Sequence, residues 1–331
     1  MRLVRGVHHL ALAVGHAQED YDFHTQVLGL RSVKKTVRIV GRVPVYHLFY
    51  GNAGGDPGSL LTTMPYGRVG FKGRRGSNQV KVINLAVPPG SLPFWARRLD
   101  AFGIGTAEAE WLGRERLLFA HPCGIEYAFV ETPTVDASSP WEVAGVTARN
   151  AIRRVHGATI STLAIDEMSE FLVHGLGAVE AGRDGSALAF RCGARGRSGL
   201  IELIHEPGRE PGTWKFGSGT VHRLALDVGT CANLLEVKDW LEGLGYCDVS
   251  EPKSDRYYSS CFVRTPSGVM LELTAATELG LLADEEPQSL GEVFHLPEDF
   301  EGRPAELMAA LDPIELRDLI VPETGGPAAG T

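Results

Sequence analysis

The stretch that decides the fold is residues 7–14, which read VHHLALAV and alternate as a β-strand does. The pattern returns far along the chain at residues 220–228, which read TVHRLALDV. Two weaker copies lie between them, at residues 80–87 and 155–161. A strand pattern that recurs at intervals of tens of residues predicts an internally repeated fold.

Each copy is followed by a helical stretch that ends at glycine, where a left-handed cap carries no steric cost. The predicted helices are residues 17–28, 91–102, 167–174 and 231–242. Short alternating runs separated by turns complete each unit. The sequence therefore predicts an α+β fold of four βαβββ modules, each of roughly 55–65 residues. Because one module cannot close its own sheet, the modules are expected to form two open barrel-like domains of mixed sheets.

Composition shifts predict the domain boundaries. Residues 1–140 are expected to hold modules one and two as an N-terminal domain, and residues 141–277 to hold modules three and four as a C-terminal domain. Residues 278–331 form an acidic, proline-rich C-terminal extension. Short helices are predicted there at residues 304–311 and 313–320, before a disordered Gly/Ala end.

Length and charge exclude several classes of protein. The chain has 331 residues, 44% of them hydrophobic and 22% charged, which is typical of soluble globular proteins. The formal net charge of −9 argues against nucleic acid and anionic membranes as partners. No apolar run approaches the roughly 18 residues that span a bilayer, and the first residues show no signal peptide. The five cysteines form no CxxC pair, which favours a reducing cytoplasm.

Equivalent positions in the modules point to one face of the sheet, because side chains alternate across a strand. Aligning the four copies on their Leu-Ala-Leu core places one residue of each at the start of its first strand: His9, Val82, His156 and Arg223. Aligning the closing strands on their glycines gives a second set: Thr62, Ala128, Leu203 and Glu272. Only modules one and four are polar in both sets, so they are expected to line any working cavity.

Several longer segments carry a family resemblance. They are residues 8–9 with 15–23, 46–51, 72–79, 205–207 with 212–214, and 264–272. They resemble the vicinal oxygen chelate superfamily of glyoxalases and extradiol dioxygenases, and within it the ring-cleaving dioxygenases of the hydroquinone 1,2-dioxygenase type. The resemblance implies paired βαβββ modules and an Fe(II) ion held by two histidines and a glutamate. It also implies a small aromatic diol and dioxygen as substrates.

Carried over by position, the resemblance makes His9 the first metal ligand and Glu272 the carboxylate ligand. The second histidine of the family pattern falls on Arg223, and a guanidinium cannot ligate a cation. Ten residues before Glu272, where the family tends to have a tyrosine, this chain has Phe262. Near that position, Arg256 and Tyr258 are candidates to stabilise developing negative charge.

Two geometries remain open at the second histidine position. A β-bulge that shifts the strand by one residue would turn His222 inward and complete a triad of His9, His222 and Glu272. With the register unshifted, Arg223 would face Glu272 and form a charge-assisted pair where a metal would sit. The site would then be metal-free, or would bind a metal weakly.

Three functions follow from these geometries. The first is a ring-cleaving dioxygenase that acts on an aromatic diol of the hydroquinone type at a mononuclear Fe(II). The second is a metal-independent isomerase, cyclase or lyase, in which Glu272 acts as acid or base and Arg223 tunes its pKa. The third is a protein that binds an aromatic ligand without catalysis. By analogy of fold, a homo-oligomer is also allowed.

Overall fold

The protein consists of four βαβββ modules and a C-terminal extension, as predicted. The computed structural model describes residues 4–133, 139–193, 199–297 and 304–321. The elements of module one are β1 (Gly6–Val14), α1 (Ala17–Asp22), β2 (Arg31–Val40), β3 (Val43–Gly51) and β4 (Leu60–Pro65). Those of module two are β5 (Gln79–Val87), α2 (Leu92–Ala101), β6 (Ala107–Trp111), β7 (Arg114–Ala120) and β8 (Glu126–Glu131).

Modules three and four repeat this order. Module three contains β9 (Arg154–Thr162), α3 (Ile165–Glu170), β10 (Val179–Asp184), β11 (Ala187–Cys192) and β12 (Gly199–His205). Module four contains β13 (Thr220–Gly229), α4 (Cys231–Gly243), β14 (Lys253–Ser254), β15 (Tyr258–Arg264) and β16 (Met270–Ala276). The helices α1 and α3 continue as π-helical turns, Phe23–Val27 and Phe171–Gly175. Each predicted helix thus has a counterpart, with the first and third changing type midway.

The strands form two mixed sheets of eight. The first has the order β14-β15-β16-β13-β1-β4-β3-β2, and the second has the order β10-β11-β12-β9-β5-β8-β7-β6. Module one therefore shares a sheet with module four, and module two with module three. Each sheet takes one module from residues 1–140 and one from residues 141–277, so the described strands of sequence-adjacent modules in the predicted domains do not pair within one sheet. The domain boundaries themselves stay predictions.

The strand registers correct the alignment made from sequence. The first strand of each module runs parallel to its last, with the pairs Ala11 and Thr62, Asn84 and Ala128, Thr159 and Glu202, and Ala225 and Glu272. The counterpart of Glu272 in module three is therefore Glu202 rather than Leu203. His9 lies two residues before Ala11, and Gly157 lies two residues before Thr159. The counterpart of His9 in module three is therefore Gly157 rather than His156. In module three both alignments from sequence were one residue out, which moves a side chain to the opposite face.

The two faces of β1 have different environments, and this positions the site. Leu10 and Leu12 belong to the main hydrophobic cluster of the protein. On the alternate positions, Ala11 and Ala13 pack in a separate, smaller cluster. His9 lies two residues before Ala11, on the face that the main core does not use. The His9 imidazole therefore faces polar groups of the neighbouring strands rather than the main hydrophobic core.

The C-terminal extension matches the prediction only in part. The helix α5 (Pro304–Ala310) lies where one was predicted. Residues 313–320 form no helix, so that prediction is wrong. Their backbone hydrogen-bonds instead to side chains of module one, as the N–H of Glu315 donates to Gln18 at 2.7 Å and the N–H of Ile320 donates to Gln26 at 2.9 Å. The predicted disordered end lies largely at residues 322–331, outside the described residues.

No helix in the described ranges combines the length and the apolar character needed to cross a membrane.

Candidate active site

The first and last modules bring an imidazole beside a carboxylate. β13 lies between β1 and β16, and it places His9 and Glu272 on one face of the first sheet. The His9 Nε2 atom lies 3.5 Å from the Glu272 Oε2 atom, and both side chains are buried. A buried carboxylate needs a cation, a proton or hydrogen-bond donors. The group that stabilises the Glu272 carboxylate therefore decides what the site can do.

The cation that contacts Glu272 is Arg223. Its Nε atom donates a hydrogen bond to Glu272 Oε2, the same oxygen that faces His9. The bulge considered from sequence is present, because the pairing of β1 with β13 shifts between Ala11 and Leu12 and leaves His222 without a cross-strand partner. The His222 ring nevertheless packs against Phe216 at 4.2 Å between centroids. Among the described residues, His9, His222 and Glu272 do not form a group whose ligand atoms all lie within 4.8 Å of one another, so the triad is not assembled.

Next to this pair lies a cavity of about 680 Å³. Its wall includes five of the six residues singled out from sequence, namely His9, Arg223, Arg256, Tyr258 and Glu272. Further wall residues come from β2, β3, the β14 region and the C-terminal extension: Thr36, Val37, Arg38, Ile39, His47, Phe49, Ser254, Asp255, Tyr257, Leu296 and Pro297. The sixth predicted residue, His222, is not part of this wall. The roles of the predicted residues stay predictions.

Sequence reasoning assigned no chemistry to His47, yet it lies on the cavity wall. Its Nδ1 atom accepts a hydrogen bond from Arg38 Nε at 3.1 Å, so the neutral ring carries its proton on Nε2. That Nε2 atom is buried and has no hydrogen-bond partner among the described residues. The alternation of side chains along β3 could have indicated this position from sequence. Phe49 pairs with Thr62, and His47 lies two residues before Phe49 on the same face of the strand.

The surroundings shift the pKa values of the site in opposite directions. Burial alone would raise the pKa of Glu272, but Arg223 and the His9 contact hold that pKa well below its usual range. Burial, together with Asp255 and Glu272, raises the pKa of Tyr258, which stays a phenol. Burial and the neighbouring Arg38 and Arg223 lower the pKa of His47 far enough to keep it neutral. The site thus combines the ionised carboxylate of Glu272, the neutral phenol of Tyr258 and the neutral imidazole of His47 with the guanidinium of Arg223.

Acid is expected to destabilise the protein below pH 6.5. Burial lowers the pKa of His8 and His222 to about 3 and that of His156 to about 4. Because the unfolded chain binds these protons more readily, stability is full above the unfolded pKa of about 6.5 and falls as pH decreases toward the folded values. Each histidine should contribute a slope of up to about 1.4 kcal/mol per pH unit.

Urea midpoints measured between pH 7 and pH 4 test this slope. His156→Gln should remove the contribution of one titrating group, up to about 1.4 kcal/mol per pH unit of this slope. The buried His156 Nε2 has no hydrogen-bond partner in the described part of the chain. A pH-independent midpoint across this range would contradict the expectation.

The structure contains two groups of residues with metal-ligand chemistry, and neither includes His9 or Glu272. In the described ranges these groups are Asp20 with His24 and His121, and Asp284 with Glu285 and His295. Within each group the ligand atoms lie within 4.8 Å of one another.

Existing hydrogen bonds and charges oppose metal binding at both groups. His121 Nδ1 accepts the Cys123 N–H at 3.0 Å, so its Nε2 carries the proton, whereas a ligating histidine donates through its other nitrogen. At the second group, the Lys34 ammonium already bonds to Asp284 and lies 3.6 Å from Glu285. An ammonium in that position competes with a metal for both carboxylates.

The second sheet holds a related ion pair. Arg116 donates to both carboxylate oxygens of Glu202, at 2.7 and 2.8 Å. Thr159 and Asn84 also donate to Glu202. The register makes Glu202 the counterpart of Glu272, while Arg116 lies two residues before Leu118 and is the counterpart of His47. Both sheets thus place a guanidinium on the carboxylate at this position.

Comparisons with known proteins agree with this architecture. The chain is 36% identical over 314 residues to "Chlorohydroquinone/hydroquinone 1,2-dioxygenase" of Sphingobium indicum, covering 94% of this chain and 97% of the relative. It is 31% identical to "Putative ring-cleaving dioxygenase MhqO" of Bacillus subtilis, covering 95% and 98%. No protein-family model matches the sequence.

Solved structures show the same fold. A crystal structure of a "putative dioxygenase" from Bacillus subtilis superposes with a TM-score of 0.89 at 30% identity, covering 96% of this chain and all of the other. Maize glyoxalase I superposes with a TM-score of 0.59 at 13% identity, covering 82% of this chain and 92% of the other, and supports the fold alone. The chain therefore has the vicinal oxygen chelate fold and belongs to the ring-cleaving dioxygenases of the hydroquinone 1,2-dioxygenase type, a family of oxidoreductases.

Proposed function

We propose that the cavity beside Glu272 binds a small aromatic diol of the hydroquinone type and that the protein catalyses its ring cleavage with dioxygen. The observation that carries this proposal is the convergence of His9, Arg223, Tyr258 and Glu272 on one cavity large enough for a single aromatic ring. The relative from Sphingobium, named for chlorohydroquinone and hydroquinone, supports the choice of substrate class.

The wall residues suit an aromatic diol. Arg223 places a permanent positive charge where it can hold an ionised hydroxyl of the substrate. The His47 Nε2–H has no partner among the described residues, and because this atom is buried it would donate to a substrate oxygen once the ring turns toward the cavity. Phe49 supplies an aromatic surface on the same strand as His47. These contacts would orient the ring, and Glu272, ionised at neutral pH, would accept a proton from a hydroxyl.

The residues present do not fit the Fe(II) ion predicted from the family. Such an ion takes two histidines and a carboxylate, and this site offers His9 and Glu272 with Arg223 in the third position. No step of the reaction is therefore assigned to a metal, so the ionised diol itself would have to give an electron to dioxygen, and both oxygen atoms would end in the ring-opened product. Cytoplasmic location, a homo-oligomeric state and the lack of nucleic-acid or membrane partners also stay predictions.

The ion pair favours a second candidate function. With Arg223 on Glu272, the site can transfer a proton without a metal, as an isomerase, cyclase or lyase requires. Glu272 would then be the proton acceptor, and because its lowered pKa makes it a weak base, the charge of Arg223 would have to acidify the substrate proton. A third outcome is the binding of an aromatic ligand without turnover.

One set of measurements separates these functions. Hydroquinone is titrated calorimetrically under anaerobic conditions, and oxygen uptake and product masses are then followed in air with and without added Fe(II). We expect binding, and oxygen uptake with a ring-opened product carrying two added oxygen atoms supports the dioxygenase. An isomeric or eliminated product without oxygen uptake supports the second function, and binding without product supports the third. If hydroquinone, catechol and their chlorinated forms all fail to bind, the proposed substrate class is wrong.

His47→Phe is expected to weaken hydroquinone binding about 3- to 10-fold, because one hydrogen bond is lost while the ring volume is kept. The same calorimetric titration measures this, with circular dichroism to confirm the fold. His174→Phe makes the same change at an exposed histidine away from the cavity wall and should leave the dissociation constant unchanged. Equal affinity of His47→Phe and the parent protein would show that His47 does not contact the diol.

A further inference from the structure

We propose that Arg223 is the resident cation of this site: its guanidinium takes the position of a divalent metal between His9 and Glu272, and the native protein holds no stoichiometric metal there. The inference concerns three side chains of the first sheet and does not rest on the proposed substrate. It also goes beyond the family assignment, because it separates this chain from a metal site assembled at the same strand positions.

The first argument is the position of the guanidinium. Glu272 Oε2 is the carboxylate oxygen nearest to His9 Nε2, so a metal bridging the two residues would need a lone pair of that oxygen. Arg223 Nε donates a hydrogen bond to the same oxygen. A metal bound to nitrogen and oxygen ligands sits about 2.0–2.2 Å from each of them. The guanidinium and the metal therefore compete for one small volume.

The second argument is charge. The guanidinium group of arginine carries a fixed positive charge in proteins. A divalent ion next to it would place like charges within a few ångströms of each other in a buried site, where water screens them poorly. Arg38 adds further positive charge on the same cavity wall. The ion pair with Glu272 already neutralises the carboxylate, which removes the attraction that a metal needs.

The third argument is the lack of a replacement ligand. His222, the adjacent histidine, packs on Phe216, and its Nδ1 lies 3.3 Å from Arg223 Nη1. His47 Nδ1 is used by Arg38, and its Nε2 carries the proton. His8 Nδ1 lies 3.0 Å from His9 Nδ1, but in the ranges that the structure describes neither His8 nor any other His, Cys, Asp or Glu forms a group with His9 and Glu272 whose ligand atoms all lie within 4.8 Å of one another. The site thus keeps two of three ligands and replaces the third by a cation.

The consequence is that one substitution should build the metal site. Arg223→His removes the competing charge and supplies an imidazole at a position whose side chain already reaches Glu272. Arg223→Gln is the matched control, since it removes the charge without adding an imidazole. Arg223→Lys keeps the charge and removes only the planar guanidinium.

The experiment loads each purified full-length variant with Co(II) under anaerobic conditions. Bound metal is measured after desalting by mass spectrometry of the element, and its coordination by the visible absorption of Co(II). We expect Arg223→His to hold about one Co(II) per chain, at least about 100-fold more tightly than the native protein. The absorption should disappear when His9→Ala or Glu272→Gln is added. The native protein, Arg223→Lys and Arg223→Gln should all stay below stoichiometric occupancy.

Two results would overturn the inference. One is a native protein with one metal per chain that is lost in His9→Ala, Glu272→Gln or His222→Gln. The other is a folded Arg223→His variant that binds Co(II) no better than Arg223→Gln. Asp20→Asn, made in the native protein, identifies any metal held by the Asp20 group instead. The native metal content tests the proposal even if Arg223→His does not fold, and no diol is present in these measurements, so the proposed function is tested separately.

Discussion

Glu272→Gln is expected to lower the free energy of unfolding by about 3–5 kcal/mol and to abolish binding of an aromatic diol. The substitution keeps the shape of the side chain but leaves the Arg223 guanidinium buried without a counter-charge. Breaking one half of a buried ion pair is costly because the remaining charge has lost both water and its partner. Urea denaturation and calorimetric titration of hydroquinone measure the two effects.

The sign of the pH dependence adds a second test of the same variant. Glu272 has a pKa below its unfolded value of about 4.3, so its contribution is full above that pH and is lost as pH falls through the folded pKa. The stability difference between the native protein and Glu272→Gln should therefore be largest at neutral pH and decrease below about pH 4. A difference that stays constant down to pH 3 would contradict an ion pair as its cause.

Glu202→Gln is the matched control in the second sheet. Glu202 pairs with Arg116 at the equivalent register position, and it is equally buried. The free energy of unfolding should again fall by about 3–5 kcal/mol, whereas diol binding should be unchanged in the fraction that is folded. If both variants lose diol binding, the loss reports general destabilisation rather than a role of Glu272 in the cavity.

The sequence predicted the carboxylate and the first histidine for a physical reason. His9 and Glu272 interrupt apolar strands, and a polar side chain buried in such a strand requires a partner. The repeated pattern then predicted which modules would meet, since only modules one and four were polar at both sets of equivalent positions. The structure brings these two residues to 3.5 Å, in the sheet that modules one and four share.

The choice between His222 and Arg223 could not be made from sequence. A bulge adds one residue to a strand, and the strand pattern is the same with or without it. The structure has the bulge and still turns Arg223 toward Glu272, while the His222 ring packs against Phe216. Glu202 was missed for a similar reason, because an alignment on glycines cannot detect an error of one residue.

Residues that reach the cavity through long-range packing gave no local signal. Leu296 and Pro297 come from the C-terminal extension, yet they line the cavity beside residues of β2 and β3. The N–H of His295 donates to the carbonyl of Lys35 in β2 at 2.9 Å, which holds this part of the chain to the sheet edge. Nothing in a proline-rich acidic segment indicates such a partner before the sheet order is known.

The attachment of that extension depends on Lys34, and Lys34→Met should have the second large effect. The Lys34 side chain is fully buried in β2, and its ammonium bonds to Asp284 and lies 3.6 Å from Glu285. The ammonium also lies 4.4 Å from the centroid of the Tyr257 ring, whose hydroxyl donates to Asp284 at 2.6 Å. Methionine keeps most of the volume of lysine but removes the cation shared by these groups.

The expected loss in Lys34→Met is about 3–5 kcal/mol of unfolding free energy, because Asp284 and Glu285 then lose the ammonium and keep only the His295 ring, 3.0 Å from Glu285, beside them. Hydrogen exchange should show lost protection in residues 284–295 before the central strands are affected, since those residues are held by this pairing. Diol affinity should also fall, because Leu296 and Pro297 follow directly and form part of the cavity wall. Arg183→Ala, which breaks an exposed pair with Glu180, is the control and should cost at most about 1 kcal/mol. Unchanged protection of residues 284–295 in Lys34→Met would show that the extension is held by its apolar contacts, with Leu281 and Leu290 as the buried anchors.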